Sequence, residues 1–355
     1  MLTILTRVAG VVTVLGLLYG RSGATRCSKS STAYDRAEWK AKYSRPTSVP
    51  FPAENQFTPE RELVGRMLFF DARLSSSKSI SCATCHNPGL SWGDGLPKAI
   101  GQAKKTLGRR TPTILNVAWA DLLFWDGRAG SLEEQVLVPL TSPEEMDRTP
   151  ELAAQRVADI PGYKRMFASA YPGQPISGKT LGLAIATFER TIVSGTSPFD
   201  LWIAGREDAL SESAKRGFDI FNRNAGCQKC HDGWNFTDNG FHDIGTGDQD
   251  PGRWSRLPLE AMRHAFKTPT LRNVAERGPY MHDGSERTLA DVIDLYDRGG
   301  RMKRPSLAPE VHRLHLSAAA KTDLIEFLKT LTSDDRRLKV PVLPGPEVSE
   351  MKHER

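Results

Sequence analysis

The sequence predicts a mainly α-helical protein built from two tandem copies of one domain, and three observations carry that prediction. Ser81-Cys82-Ala83-Thr84-Cys85-His86 holds a C-x-x-C-H motif, and Cys227-Gln228-Lys229-Cys230-His231 holds a second. Thr111-Pro112-Thr113-Ile114-Leu115-Asn116-Val117-Ala118 returns as Thr268-Pro269-Thr270-Leu271-Arg272-Asn273-Val274-Ala275, 157 residues further on. The same spacing places Asp126-Gly127 on Asp283-Gly284 and Leu132 on Leu289, so the chain is an internal duplication. Finally, apolar residues recur at helical spacing ahead of each motif, while alternating strand patterns are scarce.

C-x-x-C-H is the attachment signal of a c-type haem. The two thiols bond the haem vinyl groups, and the adjacent histidine is brought to the iron as its proximal ligand. The four thiolates could instead share a zinc ion, but zinc does not require cysteine and histidine as chain neighbours, and that arrangement occurs twice. A thioredoxin-like redox pair calls for a βαβ setting, which neither motif has. The sequence therefore predicts two covalently bound haem c groups, on Cys82, Cys85 and His86 and on Cys227, Cys230 and His231. These sit in cytochrome c-like domains.

Taken in order, residues 1–24 read as an export signal: Arg7 precedes the apolar run Val8 to Tyr19, and Ser22-Gly23-Ala24 offers small residues for cleavage. An uncleaved membrane anchor is the alternative, because Arg21 lies beside the cleavage site. Either way the body is expected outside the cytoplasm, in the periplasm. Cys27 reads as a solvated thiol; Thr25-Arg26 precede it where a lipidation signal needs small residues. Residues 25–50 are polar and proline-rich, as expected of an extended leader.

A first haem domain is expected over 51–200. Thr58 caps a helix with Pro59 in its first turn and an apolar face at Leu63, Met67 and Phe70. That helix delivers the chain to Cys82. A second haem domain is expected over 201–340, with a join around Ser197 to Leu210 and a tail over 341–355. Its first helix, Leu210 to Phe221, starts at Ser211 and leads to Cys227. Leu181 to Val193 and Ala318 to Leu331 are two further helices.

At 355 residues, with 39% hydrophobic content, the chain can bury two domain-sized cores. The formal net charge of +6 does not imply a nucleic-acid partner. Arg7 and Arg21 leave with the signal, and the propionates of two haems add about four negative charges.

Where two copies of one design differ near the iron, their haems should differ in chemistry. The 157-residue offset places Tyr296 on Pro139. A tyrosine can ligate ferric haem through its phenolate, and proline has no ligand atom. The second haem is then closed by His231 and Tyr296, and the first is open opposite His86. The alternative for Tyr296 is an ordinary packed aromatic.

Gly65-Arg66-Met67-Leu68-Phe69-Phe70-Asp71, Phe124-Trp125-Asp126-Gly127-Arg128, Pro143-Glu144-Glu145-Met146 and Tyr280-Met281-His282-Asp283-Gly284, together with both haem motifs, resemble the bacterial dihaem cytochrome c peroxidase and MauG superfamily. The resemblance runs from about Phe51 to Leu331. It implies that Trp125 lies between the haems and that Gln135 and Glu145 line the peroxide side of the first, Glu145 moving a proton between peroxide oxygens. Glu133 and Glu134 are expected on a solvated helix face.

Gln102 stands where the conventional peroxidases carry a histidine that blocks the first haem, and Tyr296 where they carry a methionine. Both resemble the MauG branch. The resemblance also implies a calcium ion between the domains, held partly by the backbone carbonyls of Arg277 and Pro279, but its asparagine ligand is replaced by Arg110.

Three functions follow as expectations. One is a protein-modifying oxidase that uses hydrogen peroxide to draw electrons from aromatic residues of a periplasmic partner protein. The second is a peroxidase that reduces hydrogen peroxide with electrons from a small cytochrome c or cupredoxin. The third, a non-catalytic electron carrier, has no need of Gln135 and Glu145. Gln102 and Tyr296 favour the oxidase by family analogy. Trp202, Trp234 and Trp254 are candidate contacts for the partner.

Overall fold

The computed structural model describes residues 38–333 and 338–345. The expected export signal and Cys27 lie outside the described residues, and none of the described helices is long and apolar enough to cross a membrane. In chain order the helices are α1 (38–43), α2 (Pro59–Phe70), α3 (Cys82–Cys85), α4 (Leu132–Thr141), α5 (Pro150–Ala158) and α6 (Pro161–Ala170). They continue with α7 (Gly178–Arg190), α8 (Pro198–Ile203), α9 (Glu212–Asn222), α10 (Leu289–Asp297) and α11 (Ala318–Lys329). Two two-residue strands, β1 (Phe241–His242) and β2 (Phe266–Lys267), pair antiparallel. The fold is mainly α with two haem-type domains, as the sequence predicts.

Each domain is organised on one crossing of two helices. In the first, α2 packs across α7, and a Cβ on Gly65 would overlap the Ala184 carbonyl oxygen. In the second, α9 packs across α11, and a Cβ on Gly217 would overlap the Asp323 carbonyl oxygen. Glycine lets the two backbones approach closely enough to bury the aromatic rings around them. Gly217→Ala should therefore lower stability by about 2 kcal/mol through overpacking. Gly108→Ala, where a Cβ meets open space, is the matched control. Thermal melts of the two variants that superimpose would remove this account of the crossing.

The duplication extends to backbone detail. Asn116 and Asn273 both adopt left-handed conformations, with φ of 59° and 55°. Each side-chain oxygen accepts from the backbone just beyond a domain's last long helix, Ser194 N at 2.8 Å and Ser333 N at 3.0 Å. The bridge between Leu123 and Ala129 recurs between Tyr280 and Glu286. The two asparagines and the two bridges stand 157 residues apart, the offset of the repeated sequence. Helix α10 is thus the second copy's version of α4.

Three sequence expectations are corrected. Helix α2 starts as predicted, with the Thr58 hydroxyl accepting from Arg61 N, but its buried face is Val64, Gly65, Leu68 and Phe69, and Leu63 is exposed. The leader is not all extended: residues 38–43 are helical, and Trp39 and Tyr43 join the second domain's core. Trp39 meets Phe218 edge-on at 4.8 Å, and Lys42 bonds Gln228 and Asp232 beside the second haem motif. Burying two aromatic rings outweighs the ordering entropy of this short segment. Glu133 is not solvated either, since Arg190 and Asn55 clamp its carboxylate at 2.6 Å. Glu134 is exposed, as expected.

Candidate active site

Both C-x-x-C-H motifs form tight turns that aim their histidines inward. Ser81 and Thr84 close a capping box around α3, and His86 N donates to Cys82 O at 2.9 Å. A turn at Cys227–Lys229 places His231 N on Cys227 O at the same distance. His86 Nδ1 lies 3.2 Å from the Trp92 carbonyl oxygen, and His231 Nδ1 lies 3.0 Å from that of Phe236. With Nδ1 as the donor, Nε2 keeps its lone pair for a metal. Burial lowers both imidazole pKa values, which favours the neutral, ligating form.

Both motifs line one cavity of about 630 Å³. A buried arginine and a half-buried lysine also face it. Burial pushes the Arg277 guanidinium down to about 9 and the Lys267 ammonium down to about 8. A buried cation without a counter-charge is costly, and the carboxylates of a haem supply one. The residues therefore fit two covalently attached haem c groups.

Over the first motif, α4 presents Gln135, Val136 and Pro139 to the cavity, and the turn after it presents Glu145. Burial raises the Glu145 pKa against the opposing effect of Arg128. Gln102 does not line this cavity. Its amide donates to Ser76 Oγ at 3.1 Å and to Met146 O at 3.2 Å. A side chain tied down in this way leaves the space over the first motif to Gln135 and Glu145.

Over the second motif, α10 brings Tyr296 to the cavity at the place where α4 has Pro139. Burial raises its phenol pKa, so a phenolate there needs a strong cation opposite it. A methionine thioether could also ligate iron; of the two nearby, Met302 is exposed and Met281 lines the cavity beside His282.

Trp125 is 9% exposed, lines the cavity and donates Nε1–H to Arg110 O at 2.8 Å. The His282 ring lies 6.3 Å from it and stacks on Phe266 at 3.4 Å. Arg277, Lys267, His282 and Glu189 also line this cavity, a placement that sequence reasoning missed. Glu189 is buried without a partner on Oε2, and burial pushes its pKa up to about 8. His282 sits in a motif already singled out; Glu189, inside an apolar helix, could have been suspected on that ground.

The calcium expectation does not fit the donors present. The Arg110 guanidinium donates to the Arg277 carbonyl, one of the two oxygens the ion would need. Of the candidate partner-contact tryptophans, Trp202 is core, at 6% exposure. Trp254 is half-buried with Arg263 over its ring, and Trp234 is half-buried and meets Trp119 edge-on at 4.8 Å.

Two haem-attachment turns facing one cavity, with a glutamine and a carboxylate over one and a tyrosine over the other, define a dihaem c-type oxidoreductase. Residues 59–208 match the model of the di-haem cytochrome c peroxidase family, and residues 214–332 match that of cytochrome c. The methylamine utilization protein MauG of Methylorubrum extorquens is 46% identical over 91% of this chain and 92% of its own. That of Methylophilus methylotrophus is 43% identical over 86% of this chain and 92% of its own. A solved MauG-like protein associated with microbial copper homeostasis superposes with a TM-score of 0.77 at 31% identity, covering 82% of this chain and 95% of the other. The chain belongs to the dihaem cytochrome c peroxidase and MauG family.

Proposed function

We propose that this protein is an exported MauG-type oxidase that reacts with hydrogen peroxide at its first haem and draws electrons through its second from aromatic residues of a partner protein. The observation that carries this reading is the pair Pro139 and Tyr296, equivalent positions on α4 and α10 that face one cavity. With haem bound, Pro139 would offer the first iron no ligand atom, and Tyr296 would offer the second its phenolate. The identity shared with the two MauG proteins supports the same branch.

When bound, the haems supply the iron that accepts peroxide and a store for two oxidising equivalents. One hydrogen peroxide takes two electrons and two protons and leaves as two waters. Glu145 would accept a proton from one oxygen of hydrogen peroxide and return it to the other, and Gln135 would orient the peroxide by hydrogen bonding. Trp125, with its N–H held by the Arg110 carbonyl, passes oxidising equivalents between the copies. On this proposal residues 51–200 are the peroxide-reacting domain and residues 201–340 the electron-transfer domain. Calcium has no part in it. The alternative, a peroxidase fed by a small cytochrome c or cupredoxin, uses the same Gln135 and Glu145, and Tyr296 sets the two apart.

The fully oxidised protein as isolated should contain one high-spin and one low-spin haem, because Gln102 is tied away and Pro139 cannot ligate. Electron paramagnetic resonance (EPR) before any reduction checks this. Two low-spin ferric signals would sink the proposal.

A further inference from the structure

The junction beside Trp125 is occupied by an arginine at the place where the family resemblance puts a metal ion. Arg110 is only 6% exposed and bonds three residues. Its backbone N donates to His282 O at 2.7 Å, and its backbone O accepts the Trp125 Nε1–H at 2.8 Å. Its Nη2 donates to the Arg277 carbonyl. One residue of the first copy is thus tied to the second copy at two points and to the tryptophan between the haem motifs.

A calcium ion needs six to eight oxygen ligands at about 2.3–2.6 Å. Here a carbonyl it would use already accepts from a guanidinium, and a second buried guanidinium, that of Arg277, lies close by. Asp94 acts on Arg110 through space, but its Oδ2 accepts from the Thr111 hydroxyl at 2.6 Å. A divalent cation placed here would meet fixed positive charge with little carboxylate to offset it.

We propose that Arg110 is a built-in cation that joins the two domains in place of calcium and positions Trp125, so that this protein needs no calcium. An arginine suits the task because its planar fork makes directed bonds to carbonyl oxygens and keeps its charge when buried. The proposal does not depend on which molecule donates the electrons.

The test uses the holoprotein with both haems attached. After dialysis against calcium and then calcium-free buffer, the wild type should carry well under one calcium per chain by elemental analysis. The chelator EGTA should change neither its melting temperature nor its EPR spectrum. Arg110→Asn should melt lower and perturb the low-spin EPR signal, and added calcium chloride should reverse both changes. Arg110→Lys keeps the charge without the fork; it should melt between the two and stay free of calcium. Stoichiometric calcium in the wild type, with a spectrum that EGTA alters, overturns the proposal. So does Arg110→Asn that matches the wild type, or that calcium fails to restore.

Discussion

Glu145→Gln should slow the consumption of hydrogen peroxide by about a hundredfold or more, the usual cost of losing a positioned general acid–base. Glutamine keeps the shape of the side chain and removes only the proton acceptor. Both haems should stay attached, since the attachment turns at Cys82 and Cys227 do not depend on Glu145. A pH signature accompanies the effect. Burial raises the Glu145 pKa, and the residue must be unprotonated to accept the proton from peroxide. The wild-type rate should therefore fall as pH drops through that raised value, at a higher pH than an ordinary carboxylate would set. In Glu145→Gln this acid limb should vanish. Stopped-flow measurements of peroxide decay across pH would return Glu145 to a structural role if the rates of the two proteins coincided.

Tyr296→Met should prevent the oxidised protein from holding both oxidising equivalents. A phenolate ligand lowers the potential of a haem and supports high oxidation states, whereas a thioether raises the potential. The oxidised wild type is expected to take up one equivalent of peroxide without prior reduction. The Met variant should require reduction first, and its ferric form should show the weak far-red absorption band of methionine ligation. Tyr296→Phe leaves the site open and should convert the second haem to high spin. Because burial raises the phenol pKa, the phenolate forms only if ferric iron faces it, so apoprotein should show no tyrosinate absorption at neutral pH. A far-red methionine band in the oxidised wild type would falsify the ligand assignment and point to Met281.

Much of this protein is determined locally, and the sequence shows that part directly. Haem attachment depends on residues within one turn of backbone, so both motifs are plain from their spacing alone. Helix starts follow the same logic: Thr58 and Ser211 cap α2 and α9 through hydrogen bonds to the next turn. The duplication is written as repeated residues, and its offset alone matches Tyr296 to Pro139.

What depended on distant partners was decided by the tertiary structure. The buried face of α2 is set by Gly65 crossing Ala184, more than a hundred residues away, which rotates Leu63 outward and Val64 inward. Glu133 looks solvated on its own helix and becomes clamped when α7 brings Arg190 against it. Residues 38–43 look like part of a leader until the second domain offers Phe218 and Phe236 to Trp39 and Tyr43. Arg110 likewise reads as an awkward substitution, and only the fold shows its guanidinium on the Arg277 carbonyl. Caps, attachment turns and repeats draw their free energy from neighbours in the chain. Burial and ion pairing draw theirs from whatever the fold brings close, and that choice belongs to the tertiary structure.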